Sequence, residues 1–543
     1  MPEAHSVAGC LSIHDGCATL QVKKRGMKMT GRNHLGSQAI TRRGLLFKTA
    51  AYGLCASVAP ALLSSIAMAD APRRGGKLVI GVKGGSSSDT LDPAHIISSV
   101  TADVSYQYGN LLIDRSPGGK LQAGLAESWE TPDGGKHWVV RLKQGVKFHN
   151  GKEFTSADMV YSLNRHRDPA NASGALPLMG TIDDIKADGP HQLTISLKGA
   201  DVGFPYLLAY IHLVAQPEEE NPDNADGTGP FVLDIAEPGK RYAFHRNPDY
   251  FKPDSVWFDE LEMLVINDDT ARLSALLSGS AHIITEVSPS MVARLDSAPN
   301  LNISRFADSK FYYFAMLVDT PPFDNADLRL ALKYAVDREA IVKSIYAGYG
   351  EVGADVNINS FYPLFSDDIP KHSYDVEKAK HHYEKSGHSG PIVLQVSDVF
   401  PGAVDMAAMF QQSAGKAGIT IELHREPADG YWDNVWRKAP FCISYWGSLI
   451  SEDQALSLCY GSSSNINDTH WSRPDFDKLL VEARAELDPQ KRKSLYRDAA
   501  MMVNDDGGHI VVMFPEIING VSKKVKGYVD GDQRNTEHCW FET

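Results

Sequence analysis

GLAESWETPDGGKHWVVRLKQGVKFHNGKEFTSADMVYSL, residues 124–163, sets the architecture of the chain. Trp138 to Leu142 read as an alternating strand. The chain then turns through Gly145 and again through Asn150-Gly151, a pair typical of tight hairpin turns. Thr155 follows as a helix N-cap with Asp158 three residues on, a variant of the reciprocal capping box. Trp129, Trp138, Gly145, Phe148 and Gly151 alternate with charged residues along these strands and turns, so their predicted role is structural.

Outward from this block, strands and helices mix throughout. KLVIGV (77–82), HQLTISL (191–197) and LEMLVIND (261–268) read as strands bounded by turn residues. PDNADGTGPFVLDIAEPGKRYAFHRNPDYF (222–251) reads as two strands around turns. The helix predicted at 269–283 is stopped by Gly279. DLRLALKYAVDREAIVKSIYAG (327–348) carries Leu328, Ala331, Leu332, Ala335 and Val336 on one stripe, which predicts a strongly helical segment. Residues 388–448 alternate strand, helix, strand, helix, strand, the mark of an α/β sheet. There is no internal repeat and no low-complexity linker, and two α/β lobes account for the pattern better than one.

The N-terminus reads as an address. Arg42 and Arg43 precede an Ala/Ser-rich apolar run that ends in Ala67-Met68-Ala69, a small-x-small cleavage pattern. Twin arginines before such a run indicate bacterial twin-arginine export. Residues 1–69 are therefore set apart as an extension plus signal peptide, and the remainder is expected in the periplasm. That remainder carries 46 Lys/Arg against 66 Asp/Glu, a net −20. Such a balance argues against nucleic acid or an anionic membrane as the main partner. Cys442, Cys459 and Cys539 remain after cleavage. A Cys442–Cys459 bridge would close a short loop worth about 3 kcal/mol, and a buried free thiol at Cys442 is an equal alternative.

No residues support catalysis or a cofactor. His149, His245, His470 and His509 lack metal-ligand spacing. GVKGGSSSD (81–89) lacks the lysine of a phosphate loop. No nucleophile–base pair stands out, so the chain is not expected to be an enzyme; a periplasmic hydrolase is the rival class.

Several segments, in order, resemble a known family. The 124–163 block, GTGPFVL (227–233), RNPDYF (246–251), DDTARLSALLSG (268–279), PPFDNADLRLALKYAVDREAIV (321–342) and KKVKGYV (523–529) are similar to the family 5 (peptide/nickel-type) solute-binding proteins of bacterial ATP-binding-cassette importers. The resemblance implies an α/β, two-lobed periplasmic binding protein with an extra subdomain, two hinge strands and a ligand cleft between the lobes. Lobe I would take 70–310 with the subdomain, lobe II 311–514, and 515–543 would return to lobe I. The hinges would fall near Phe311–Phe314 and Met513–Pro515. The implied partners are a small peptide or peptide-like solute and the permease subunits of the inner membrane, with the protein a monomer. Opines, small amines and metal chelates stay open as ligands, as does a sensing role.

The expected ligand wall lies in YWDNVWRKAPFCISYWGS (431–448), where six of eighteen residues are aromatic. Trp432 and Trp436, four apart, are expected to pack in the core. The strand 441–446 is expected to be central and buried, ending at Trp446-Gly447, because ligands of α/β sheets bind beyond the carboxyl ends of strands. In dipeptide-binding relatives, the aspartate that receives the peptide amino group would fall on Leu449 here, and VSDVFPGAVDM lacks the arginine that would receive the carboxylate. The expected ligand contacts are Trp446, Gly447, Ser448, Asp398, Tyr431, Glu452 and Asp453 from lobe II. Ser98, Ser99 and Thr101 are added from lobe I, with helix capping an equal alternative for these three. No metal or other cofactor is expected.

Overall fold

The computed structural model describes residues 71–542 apart from 97, 219, 428 and 429. The twin-arginine segment and cleavage site lie outside the described residues. In the 124–163 block, strands Ala126–Glu130 and His137–Leu142 pair antiparallel, and helix Ser156–Arg165 follows. Gly145 and Gly151 have φ of 72° and 87°, which only glycine adopts without strain. Asp158 is fully buried. It accepts the Thr155 amide and hydroxyl, both at 2.9 Å, and the Lys152 ammonium at 2.6 Å. This block supplies half of a four-stranded antiparallel sheet completed by Gln192–Leu197 and Ile182–Ala187.

That small sheet accompanies a seven-stranded one, ordered Leu301–Phe306, Ile517–Ser522, Ile283–Ile284, Lys77–Val82, Glu260–Val265, Arg241–Arg246 and Phe231–Glu237. Together they form the first lobe. The second lobe is built on a six-stranded sheet ordered Gly350–Val352, His509–Pro515, Phe311–Met316, Phe441–Trp446, Ile392–Val396 and Ile421–Arg425. Ile392–Val396 runs parallel to Ile421–Arg425 and, at Gln395, to Cys442. Phe311–Met316 runs antiparallel to both of its neighbours. It and His509–Pro515 are buried along their whole length, as expected of strands covered on both faces.

The buried apolar side chains divide along the same line. One core cluster draws only on residues between Phe311 and Phe514. The other two draw on Leu78–Leu301 and on the C-terminal residues from Ile518 onward. The chain passes between the large sheets twice, at 307–310 and at Glu516. Phe311–Phe314 and Met513–Pro515 are themselves paired strands of the second sheet, so the crossings lie just outside them.

The helical segment at 327–348 divides, and two local expectations change. Residues 327–348 form two helices, Ala326–Ala335 and Arg338–Ile345. The break comes where Asp337 caps the second helix through the Ala340 amide (3.0 Å). There Arg338 turns inward to the Val511, Lys333 and His372 carbonyls and the buried Asp355 carboxylate. Trp432 is 40% exposed, because Tyr431–Asn434 is a single turn that buries Tyr431 instead. Cys442, Cys459 and Cys539 are all free and buried, so the Cys442–Cys459 bridge does not form. Burial pushes the Cys539 thiol up to about 12 and raises the other two thiols as well. Among the described residues, no helix is long and apolar enough to cross a membrane.

Candidate functional site

The tip of strand Phe441–Trp446 sends two rings to opposite faces of the second sheet. Tyr445 lies opposite Tyr312 in the register and Trp446 opposite Phe311. On the Tyr445 side, Phe400 stacks flat on Tyr312 with centroids 4.0 Å apart and planes at 6°, and meets Tyr445 edge-on at 6.2 Å. These rings make a stiff wall with large contact area and little rotamer freedom to lose. Tyr312 is only 5% exposed, and no group among the described residues hydrogen-bonds its hydroxyl.

Beside this wall stands Lys310, in the crossing between the lobes, its ammonium 5.7 Å from the Tyr445 ring centroid. Burial works against its charge, but the Tyr312 phenol, Glu286 and Asp308 outweigh it and hold the lysine above its ordinary value. No hydrogen bond or ion pair among the described residues engages this ammonium.

From the first lobe, helix Ser99–Tyr108 and the turn after Ile283–Ile284 face the same place. The helix buries Val100, Val104 and Tyr108, exposes Ser99 and leaves Ala102, Asp103 and Tyr106 partly open. Positions three apart adjoin on a helix, so Asp103 and Tyr106 share the open side. Burial, with repulsion from Glu286, pushes the Asp103 carboxyl up to about 7. Glu286 has φ 50°, an uncommon conformation for a side chain with a Cβ. It is held there by the fully buried Arg272, whose guanidinium donates to the carbonyls of Ile266 (2.7 Å), Thr285 (3.1 Å) and Glu286 (2.9 Å). The Asn519 side chain accepts the Glu286 amide at 3.1 Å. Neither carboxylate accepts a hydrogen bond from any described residue. Beyond Tyr106 stands Arg115, whose guanidinium sits 5.6 Å from the Phe361 ring of the second lobe with Nη1 buried and unpartnered.

The residues expected from sequence divide into several groups. Ser98 and Thr101 cap their helix reciprocally: the Ser98 hydroxyl accepts the Thr101 amide at 3.1 Å and the Thr101 hydroxyl accepts the Ser98 amide at 3.3 Å. Ser99 donates to the Lys83 carbonyl at 2.9 Å. Tyr431 is buried beneath the strand, donating to the Ile443 carbonyl at 2.8 Å. Glu452 is buried and accepts the Leu364 amide. Asp453 accepts from Arg484 Nε at 2.8 Å. Asp398 is exposed at the end of its strand. Gly447 and Ser448 are exposed, with the Ser448 hydroxyl donating to Asp308 in the crossing. Leu449 is buried, its amide and carbonyl both bound to the Ser309 hydroxyl at 2.8 and 2.7 Å. Trp446 is half-buried and meets Trp436 edge-on at 6.3 Å, with its indole N–H buried and unpartnered. Sequence reasoning missed Asp103, Glu286, Lys310 and Tyr312. The one available signal was the Asp103/Tyr106 pair opposite an apolar stripe.

Behind the wall, a buried network stiffens the second sheet. Asp468 accepts from Tyr313, from Trp436 Nε1 at 2.9 Å and from His509 Nε2 at 2.8 Å, while the Tyr460 hydroxyl meets His509 Nδ1 at 2.8 Å. Such fully satisfied networks fix a core geometry. Among the described residues, no group of three or more His, Cys, Asp or Glu is placed to hold a metal. A surface recess of about 570 Å³ beside Glu482, Glu486, Lys491 and Leu495 brings together none of the unpartnered groups above.

Comparison with known proteins gives concordant results. The family described as bacterial extracellular solute-binding proteins, family 5 Middle, matches residues 120–468. The chain is 26% identical over 515 residues to the Dipeptide-binding protein of Escherichia coli (strain K12), covering 86% of this chain and 95% of that protein. It is likewise 26% identical over 487 residues to Heme-binding protein A of Haemophilus influenzae, covering 81% and 87%. Among solved structures, the periplasmic binding protein DppA from Helicobacter pylori in complex with peptide STSA superposes with a TM-score of 0.76 at 20% identity, over 87% of this chain and 99% of that one. The two-lobed fold expected from sequence is thus shared.

Proposed function

The chain belongs to the family 5 bacterial extracellular solute-binding proteins, and we propose that it captures a small peptide-like or amine-bearing solute in the groove between its lobes. It then delivers the solute, unaltered, to the permease subunits of an importer in the inner membrane, acting as a periplasmic monomer. One observation carries this reading. Unpartnered polar groups from the first lobe (Asp103, Glu286), from a crossing (Lys310) and from the second lobe (Tyr312) converge beside the Tyr312–Phe400–Tyr445 wall. A solute touching both lobes favours the closed form by the difference in its contacts with the closed and open states. The two crossings, 307–310 and Glu516, are where such a movement would hinge. The Ser448–Asp308 and Leu449–Ser309 bonds tie the strand tip to the first of them.

Within this reading, Trp446, Gly447 and Ser448 border the solute. Ser98, Thr101, Tyr431, Glu452 and Asp453 hold the backbone around it. A buried Leu449 and a 397–402 loop without arginine favour a solute other than a free dipeptide gripped at both ends. The test is titration of intrinsic Trp fluorescence, with mass spectrometry of the solute released from gently purified protein. A saturable change and a solute recovered intact are expected. A solute recovered chemically converted, or no saturable change with the released material, would refute the proposal.

A further inference from the structure

Resting on that reading, we infer that the parted ends of strands Ile392–Val396 and Phe441–Trp446 form a slot for an uncharged carboxamide group of the solute, held by Gln395, Ser397 and Trp446. Each strand is paired along its whole length on its outer side, with Ile421–Arg425 and with Phe311–Met316 respectively. With each other they share a single register pair, Gln395 with Cys442. The Tyr431 hydroxyl accounts for the break. It lies 2.8 Å from the Ile443 carbonyl and 3.3 Å from the Gln395 carbonyl, one from each strand, and stands where the ladder would continue. Past it the strands end unjoined, Ser397 leading to exposed Asp398 and Trp446 to exposed Gly447. The mouth there is open, since a Cβ on Gly447 would meet no atom within 4 Å. Strand order marks the same place. The chain leaves Ile392–Val396 for a neighbour on one side, Ile421–Arg425, and then crosses to the other, Phe441–Trp446. Ligands of α/β sheets bind beyond the carboxyl ends of strands at such a reversal.

Partners in a parallel ladder share a face, and side chains alternate along each strand, so Gln395, Ser397, Cys442, Ser444 and Trp446 fall on one face. Deep in the sheet the polar atoms of this face are taken: the Tyr313 hydroxyl donates to Ser444 Oγ at 3.0 Å. Towards the tip they are not. Gln395 Oε1, Ser397 Oγ and Trp446 Nε1 are each buried with no hydrogen-bond partner among the described residues, and Ser397 is only 2% exposed. At about 3.3 Å per residue, Ser397 stands about 7 Å beyond Gln395, and Trp446 about 7 Å beyond the position abreast of Ser397. The long Gln and Trp side chains reach across such gaps. An acceptor, a donor and a hydroxyl that serves as either match a planar carboxamide. Its carbonyl would take the Trp446 N–H and its N–H group would give to Gln395. None of the three side chains ionises, and burying a charge against uncharged partners is costly. Asp398 at the mouth repels a carboxylate, and the loop 398–402 brings no cation. Asp468, behind this face, is taken up by Tyr313, Trp436 and His509, while Arg437 lies over the Trp436 ring at 5.5 Å.

The test uses a panel of amino-acid and dipeptide amides, each paired with its free acid and its N,N-dimethylamide, read by Trp fluorescence and thermal shift. At least one primary amide should saturate, with both counterparts tenfold or more weaker. Gln395→Met, Ser397→Ala and Trp446→Phe should each cut that discrimination at least threefold, while Glu482→Gln, on a remote exposed helix, should leave it unchanged. An acid or dimethylamide that binds as tightly as its primary amide overturns the inference, as does discrimination unmoved in all three slot variants. A crystal structure of the saturated complex with only water in the slot also overturns it. Each of these results leaves the binding-protein reading standing. If no panel member saturates, the carboxamide slot falls, and the released native solute decides the broader reading alone.

Discussion

Replacing Asp103 with Asn should make the empty protein more stable at pH 8 and change little at acid pH. The unfolded chain releases the Asp103 proton near pH 4, whereas the folded groove holds it until about 7. Between those values the folded state binds more protons than the unfolded one. Stability contributed by this group is therefore complete below about pH 4 and is lost as pH rises through 7. From pH 5 to pH 8 the linkage amounts to about 2.5 kcal/mol at one pH unit per 1.4 kcal/mol. Asparagine cannot ionise and removes that slope. With an unfolding entropy of about 2 cal/mol/K per residue, the gain appears as a rise in Tm of about 2–5 °C at pH 8, the upper figure applying if the first lobe melts separately. Glu286 and Lys310 remain in the variant, so the difference between the two proteins isolates Asp103. Differential scanning calorimetry at pH 5, 6, 7 and 8 measures it. Variant and parent curves that stay parallel across this range would refute the assignment of Asp103 as a protonated groove acid.

Trp446→Ala should weaken solute binding by about 2 kcal/mol, in the range of a central aromatic anchor; unchanged affinity by calorimetry removes Trp446 from the site. Arg272→Met should lower stability by about 3 kcal/mol or more, because the carbonyls of Ile266, Thr285 and Glu286 lose their buried donor together. It should also reduce solute affinity, which equilibrium unfolding and titration check separately; a variant with parental stability would show the clamp to be dispensable. On a chain beginning at residue 71, a thiol reagent should find no reactive cysteine in the native state and three after denaturation, since all three thiols are buried with raised pKa values. A count of one after denaturation would restore the disulfide.

The elements of the fold were legible because their signals are local. Gly145, Gly151 and Gly279 mark turns and a helix end where a positive φ is needed, and the structure places them so. Local signals also misled. The apolar stripe from Leu328 to Val336 continues smoothly into the next helix, and only the inward turn of Arg338 towards Asp355 explains the break. Trp432 and Trp436 had helical spacing, but the helix is one turn long and Tyr431 takes the core position. The groove was far less legible. Asp103, Glu286, Lys310 and Tyr312 are brought together from separated segments by the order of the strands, and each is ordinary in its own neighbourhood. The hydroxyls of Ser98 and Thr101 caught attention for their chemistry and proved to be a helix cap.

The last long strand, Ile517–Ser522, lies inside the first sheet, between Leu301–Phe306 and Ile283–Ile284. All strands of the second sheet precede it in the chain. During synthesis the later-made lobe can therefore assemble while the earlier-made one still lacks an interior strand, and the first sheet closes only when Ile517–Ser522 emerges. A chain stopped at residue 515 should yield a protease-resistant 311–515 fragment and a digestible N-terminal half. The emergence of this strand is thus the step on which half of the molecule waits.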